Sequence, residues 1–365
     1  MLSEVIEKTL KPLTLAIDHG QYTTEVLAEL GKADAYRDLA PSQNHGKLDL
    51  FKTITNMAEV SEECMSTGFM MWAHAVCCWY IENSENDWLK DNVLPKLLSG
   101  EAFGATGLSN PMKYFAGIES LKLSAVETPD GYIINGALPW VSNLAPESDV
   151  HFFGSVFHVV DEAGEVLRDV MAIIPCDLEG FTLKQQVEFV GMEGTGTYAM
   201  FFKDAFLPKK YLLADPVKPY LQRIKSGFVL LQTGMAAGVI QGMINEMHKS
   251  NLSLSAINQY LDNKPEELQQ ELDDALQIIK QQAENIYTPG DDFFRSVLES
   301  RLLGAEITKR AADSVMQHAG AKGYIVDSAA QRKWREAYFV ILVTPSIKHL
   351  RKEIQRLQVD LEVAA

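Results

Sequence analysis

The stretch that decides the fold is GYIINGALPWVSNLAPESD, residues 131–149. Its opening residues alternate as a half-buried strand does, and Gly136 reads as a tight turn. Trp140 and Ser142 then follow two residues apart, before a polar run that closes on Asp149. A large aromatic and a hydroxyl so placed at the rim of strand-like sequence raise the question of what they face.

Working outward, residues 101–212 are rich in β-branched and aromatic side chains broken by turn signals. DVHFFGSVFHVV (149–160), DVMAIIP (169–175), FTLKQQVEF (181–189) and YAMFFKDAFLP (198–208) follow at short spacing, with a hairpin signal at DEAGE (161–165). This rhythm predicts a small antiparallel β-barrel or sandwich. On the N-terminal side, residues 1–100 read as a helical domain. Residues 51–84 carry few breakers and contain MMWAHAVCCWY, apolar almost all round, which predicts a buried helix. Asn86 or Asp87 is placed to cap the next helix, and Gly100 to stop it. On the C-terminal side, residues 213–365 hold four long helical patterns. The second has a stripe at Leu268, Leu272, Ala275, Leu276, Ile279, Ala283 and Ile286. The expected architecture is multi-domain α+β: N-terminal helices (1–100), a middle β-barrel (101–212) and a C-terminal four-helix bundle (213–365).

Bulk properties narrow the function. The chain has 365 residues, 47% apolar, with net charge −16. That balance disfavours nucleic-acid and anionic-membrane partners, which need a basic face. The four cysteines, Cys64, Cys77, Cys78 and Cys176, form no CxxC pair and no zinc spacing. Cys77 and Cys78, adjacent inside an apolar run, are expected as buried free thiols in a reducing compartment. MLSEVIEKTLKPLTLAI does not read as a signal peptide, and no uncharged apolar run predicts a transmembrane helix, so the cytoplasm is the expected location. The acidic runs at 177–180, 265–274 and 289–292 match no metal-ligand pattern, so no metal is expected.

Five segments, in this order, resemble the acyl-CoA dehydrogenase superfamily. They are STGFMMWAHAV (66–76), WLKDNVLPKLLSGEAFGATGLSNP (88–111), residues 131–149 quoted above, GMEGTGTYAMFFKDAFLPKKYLLAD (191–215) and QHAGAKGYIVDSAAQRKWREA (317–337). The likeness runs from about residue 60 to 350 and fades over residues 1–50. It implies a flavoprotein that binds FAD, or alternatively FMN, and passes hydride from substrate to the flavin. It places Trp140 on the flavin ring and Ser142 near its N5 atom. It puts Phe103, Ala105 and Thr106 along the pyrimidine edge, with Ala105 contributing backbone groups only. Gln317 and Gly320 would reach the phosphate end from a neighbouring subunit. It further implies a small-molecule substrate such as an acyl thioester, a homodimer or homotetramer, and an electron-transfer or reductase partner.

Three departures bear on the reaction. The family's carboxylate base would fall at Thr344, and its alternative position at about Phe228; neither residue is a carboxylate. The phosphate-binding loop after the first barrel strand is replaced by GLSNPMKYFAGIE (107–119), where Ser109 or Asn110 could substitute. The arginine expected after the first bundle helix is missing from NLSLSAINQYLDNKP (251–265), and Glu193 stands where an arginine is common. The catalytic residue is therefore unassigned. Besides a dehydrogenase, the sequence admits a monooxygenase using reduced flavin and oxygen, with Trp72 and His74 lining its pocket, and a non-catalytic relative. His349 reads as a solvated helix residue, and His74 otherwise as a core histidine.

Overall fold

The computed structural model describes residues 1–185 and 187–364. Among the described residues, seven α-helices precede the sheet: α1 Leu2–Val5, α2 Lys11–Asp18, α3 Glu25–Lys32, α4 Leu50–Glu63, α5 Met65–Asn83, α6 Asp87–Asn92 and α7 Leu94–Ser99. The sheet region holds β1 Phe103–Thr106, α8 Ser109–Phe115, β2 Leu123–Glu127, β3 Gly131–Val141, β4 His151–Val160, β5 Val166–Pro175, β6 Phe181–Lys184, β7 Tyr198–Pro208 and β8 Leu212–Ala214. Five helices follow: α9 Val217–Asn258, α10 Pro265–Glu284, α11 Asp291–Ala319, α12 Ala329–Leu342 and α13 Ile347–Ala364.

The local signals act as chemistry requires. Asn86 caps α6 by accepting from the Leu89 amide at 3.2 Å. Gly100 ends α7 in the left-handed region, with φ 78°. The stripe on α10 faces inward: Leu268, Leu272, Ala275, Ile279 and Ala283 are buried, Leu276 packs against them, and Ile286, just past the helix end, is buried too. α5 is buried almost throughout, and all four cysteines are buried free thiols. α9 is long and apolar enough to cross a membrane by length and composition, with a window of mean hydropathy 1.4, yet 94% of that window is buried inside the protein. Its apolarity is that of a core helix.

The expected antiparallel barrel is corrected. Eight strands form one open sheet in the order β6-β7-β3-β2-β4-β5-β8, with β1 pairing β4 off that path. β1 and β2 both run parallel to β4, because the chain leaves β1 through α8 before entering β2. The path ends at β6 and β8, strands of four and three residues, which keeps the free edges short. Strand spacing in a sequence reports hairpin rhythm but not partners, so the crossover stayed hidden. The expected strand over 181–189 ends at Lys184, and its Gln186 lies outside the described residues.

Gly136 is likewise not a turn. β3 runs through it to Val141, and the register shifts between Ile134 and Gly136 and again between Leu138 and Val141. Gly136 has φ 127°, and a Cβ there would stand 2.3 Å from the Lys122 carbonyl oxygen, so the bulge demands glycine. The fourth bundle helix is two: α12 and α13 are separated by the turn that carries Thr344 and Pro345.

Candidate active site

The second irregular stretch of β3 presents Pro139 and Trp140 outward. Trp140 is 56% exposed, with the edge of Phe189 at 6.1 Å between ring centroids. An aromatic this open at the end of a buried sheet is a free face for a planar molecule. Ser142 begins a hydroxyl relay: its Oγ lies 2.5 Å from Thr197 Oγ1, which lies 2.8 Å from Thr195 Oγ1, and Thr195 donates to the Met192 carbonyl at 2.7 Å. The relay fixes the direction in which Ser142 can donate or accept.

Asn143, with φ 64°, locks this segment to β1. Its Nδ2 donates to the Gly104 carbonyl at 2.8 Å, and its Oδ1 accepts from the Tyr22 hydroxyl at 3.1 Å. Tyr22 in turn meets His151 Nε2 at 2.9 Å, and Ser148 Oγ meets His151 Nδ1 at 2.6 Å. Burial lowers His151 to about 4, so the ring is neutral and structural.

On β1, Phe103 is buried against His151, with ring centroids 5.2 Å apart. Ala105 is fully buried in the sheet's own core, so only its backbone could serve a ligand. Thr106 is half-buried, 2.7 Å from the Tyr80 hydroxyl, and its Oγ1 accepts from the Leu108 amide at 3.4 Å. Gln317 and Gly320 are exposed at the end of α11; Gln317 donates to Asp313 at 2.8 Å, and a Cβ at Gly320 would meet nothing within 4 Å. Among the described residues no hydrogen bond joins them to Trp140 or Ser142. Glu193 accepts from the Phe189 amide, which ties it to the loop carrying Trp140's aromatic neighbour.

The α12–α13 turn is built from neutral groups. Thr344 Oγ1 lies 3.0 Å from Ser109 Oγ at the start of α8. The Thr344 carbonyl accepts from Gln232 Nε2 at 2.9 Å. Gln232 Oε1 accepts from Arg301 Nε at 2.9 Å, and Arg301 also donates to the Val340 carbonyl at 2.5 Å. Arg301 is fully buried and, among the described residues, forms no ion pair with a carboxylate, and burial pulls it down to about 10. Phe228 is buried against Trp72, edge to face at 5.3 Å, and Trp72 stacks on Phe69. Aromatic packing thus occupies the alternative base position. His74 is buried and doubly satisfied: Nε2 donates to the Leu97 carbonyl at 2.9 Å, and Nδ1 accepts from the Gly104 amide at 3.0 Å. Burial lowers it to about 4. It organises β1 and does not open onto a pocket.

Asn143, Thr195, Thr197, Gln232 and Arg301 were not singled out from the sequence. Gln232 alone left a trace there, as an isolated amide within the apolar run FVLLQTGM.

The ring end of this arrangement fits a flavin: an open aromatic face, an oriented hydroxyl and a strand edge meet, held by Asn143. Among the described residues no arginine bonds Gln317, which already donates to an aspartate.

Comparison with known proteins bears on the fold and the family. Residues 1–101 match the family described as acyl-CoA dehydrogenase, N-terminal domain, so the likeness extends to the very residues where the sequence motifs fade. The chain is 24% identical to the probable acyl-CoA dehydrogenase YngJ of Bacillus subtilis (strain 168), over 98% of this chain and 94% of that protein. It is 28% identical to the mitochondrial isovaleryl-CoA dehydrogenase of Pongo abelii, over 65% of this chain and 56% of that one. The solved butyryl-CoA dehydrogenase from Megasphaera elsdenii superposes with TM-score 0.83 at 16% identity, covering 98% of this chain and 96% of the other, a likeness of fold.

Proposed function

The chain belongs to the acyl-CoA dehydrogenase superfamily, and from that premise we propose that it is an FAD-dependent oxidoreductase acting on a small acyl-type substrate, without a carboxylate base at the α12–α13 turn. The observation that carries the reading is Trp140, open at the rim of β3 beside the hydroxyl relay of Ser142, Thr197 and Thr195. A bound flavin would supply the two-electron acceptor. Trp140 would cover one face of it and exclude water, and Ser142 would hold a single oriented hydrogen bond at its edge. Thr106 would present its backbone and hydroxyl beside them.

The turn itself can orient a substrate carbonyl through hydroxyl groups but cannot remove a proton as a carboxylate does. Ser109 and Thr344 are therefore binding groups in this reading. The exposed ends of α11 at Gln317 and Gly320 are open to a second copy of the chain, which supports a homo-oligomer in which each copy completes the other's phosphate end.

The test is anaerobic addition of a series of short acyl-CoA thioesters to the FAD-loaded protein, followed by visible absorbance. Bleaching of the flavin band by at least one thioester is expected, the hydride passing to FAD and the α-proton to water or to a base outside the α12–α13 turn. A band that stays oxidised throughout would contradict oxidation of acyl thioesters by this site.

A further inference from the structure

Arg301 on α11 is among the largest side chains that the fold buries completely. Its guanidinium meets the oxygens of neutral groups: Nε donates to Gln232 Oε1 at 2.9 Å and Nη2 to the Val340 carbonyl at 2.5 Å. Nη1 is buried and has no hydrogen-bond partner among the described residues. Buried charges in folded chains are as a rule paired with an opposite charge, because desolvation is otherwise uncompensated. This exception raises the question of what the charge holds in place.

Both of its acceptors belong to, or lead to, the α12–α13 turn. Gln232 on α9 is itself fully buried. A carboxamide has one acceptor end and one donor end, so an N–H held at Oε1 decides where Nε2 points. Here Nε2 donates to the Thr344 carbonyl at 2.9 Å. Val340 lies in the last turn of α12, where carbonyls have no partner within the helix, and Arg301 supplies one. One planar fork therefore grips the end of α12 directly and the turn beyond it through an amide.

The other side of the turn is held by weaker means. Thr344 Oγ1 reaches Ser109 Oγ at 3.0 Å, a contact between two hydroxyls that can each rotate. His349, near the start of α13, is only 6% exposed, which corrects its reading as a solvated residue. Burial is the largest influence lowering it; Glu353 acts the other way, and Lys352 and Lys113 lower it again. The ring is neutral at neutral pH, whereas the Arg301 guanidinium stays protonated there although burial pulls it down to about 10.

We propose that Arg301 is a positioning residue of the candidate site: acting through Gln232, it sets the Thr344 peptide and with it the hydroxyl that faces Ser109. An arginine is required, because one ammonium group cannot reach Gln232 and Val340 at the same time with the geometry of a planar fork. The proposal rests on the oxidoreductase reading for what the turn does to a substrate, while the conformation of the turn can be read in the protein alone.

Gln232→Glu in the full-length protein separates positioning from stability. Its carboxylate would pair with Arg301 and give the buried cation a counter-charge, but it would turn an oxygen instead of an N–H toward the Thr344 carbonyl. The denaturation midpoint is expected to equal or exceed that of wild type. Hydrogen exchange of the segment 340–348 is nevertheless expected to become ~10-fold faster or more. In the FAD-loaded protein, the limiting rate of flavin bleaching by the thioester that wild type oxidises fastest should fall ~10-fold or more, with little change in half-saturation. Arg301→Lys keeps the charge but loses the fork; it should speed exchange of the same segment, and it serves if the first variant does not fold. Exchange of 340–348 at the wild-type rate in either folded variant, or a loss confined to half-saturation, would overturn the assignment. If no thioester bleaches the wild-type flavin, the oxidoreductase reading fails by itself, and exchange still decides whether Arg301 sets the turn.

Discussion

His74 and His151 are held as neutral rings inside the fold, each lowered by burial to about 4. In the unfolded chain each titrates near ~6.5. Between these values the unfolded chain binds protons that the folded chain refuses, so stability must fall as pH drops through that window. Each ring contributes at most roughly 3 kcal/mol to that loss. The denaturation midpoint is expected to fall steeply between about pH 6.5 and 4, and less steeply in His151→Gln. A midpoint constant across the window would contradict the neutral burial of both. At this scale the sequence was only partly legible. Trp140 stands out because a large aromatic beside a hydroxyl is visible in one strand. The pins that hold the segment just after it, Asn143 and Thr197, act through contacts with β1 and with a loop more than fifty residues away, which no local pattern reports.

Among the elements, α12 is the one whose placement sets the turn, and it is tied down by buried charge. Glu336 is 2% exposed, with Arg332 Nη1 at 2.9 Å and Lys333 Nζ at 3.0 Å. Burial pushes its carboxyl up, but Lys333 and Arg332 together outweigh this and hold it below the usual range. The same group accepts from the Met65 amide at 3.2 Å, and Arg332 donates to the Glu63 carbonyl at 2.8 Å. α12 is thereby fastened to the junction of α4 and α5. Glu336→Gln leaves two buried cations short of a counter-charge and should cost about 3–5 kcal/mol in chemical denaturation. A loss within a few tenths would show that the network adds little to the fold. Helix existence was legible from apolar stripes, as on α10. The break between α12 and α13 was signalled by Pro345 but not read, because only the four residues Val343 to Ser346 separate two helical patterns.

Over the whole molecule, the order helices, sheet, helices could be read from composition, because β-branched and aromatic residues concentrate between 101 and 212. Closure of the sheet could not. Parallel pairing of β1 and β2 with β4 depends on α8, whose seven residues lie in a stretch that reads as a loop. The same helix supplies Ser109 at the turn, so a segment whose helix was not legible in the sequence reaches the candidate site. The central claim is that the open face of Trp140 holds a flavin, and co-elution of FAD with the protein in gel filtration, wild type beside Trp140→Ala, tests it most directly. The account predicts that the wild-type protein carries FAD through the column and that the variant loses most of it. A wild-type protein that emerges without flavin, or a variant that retains as much as wild type, would contradict it.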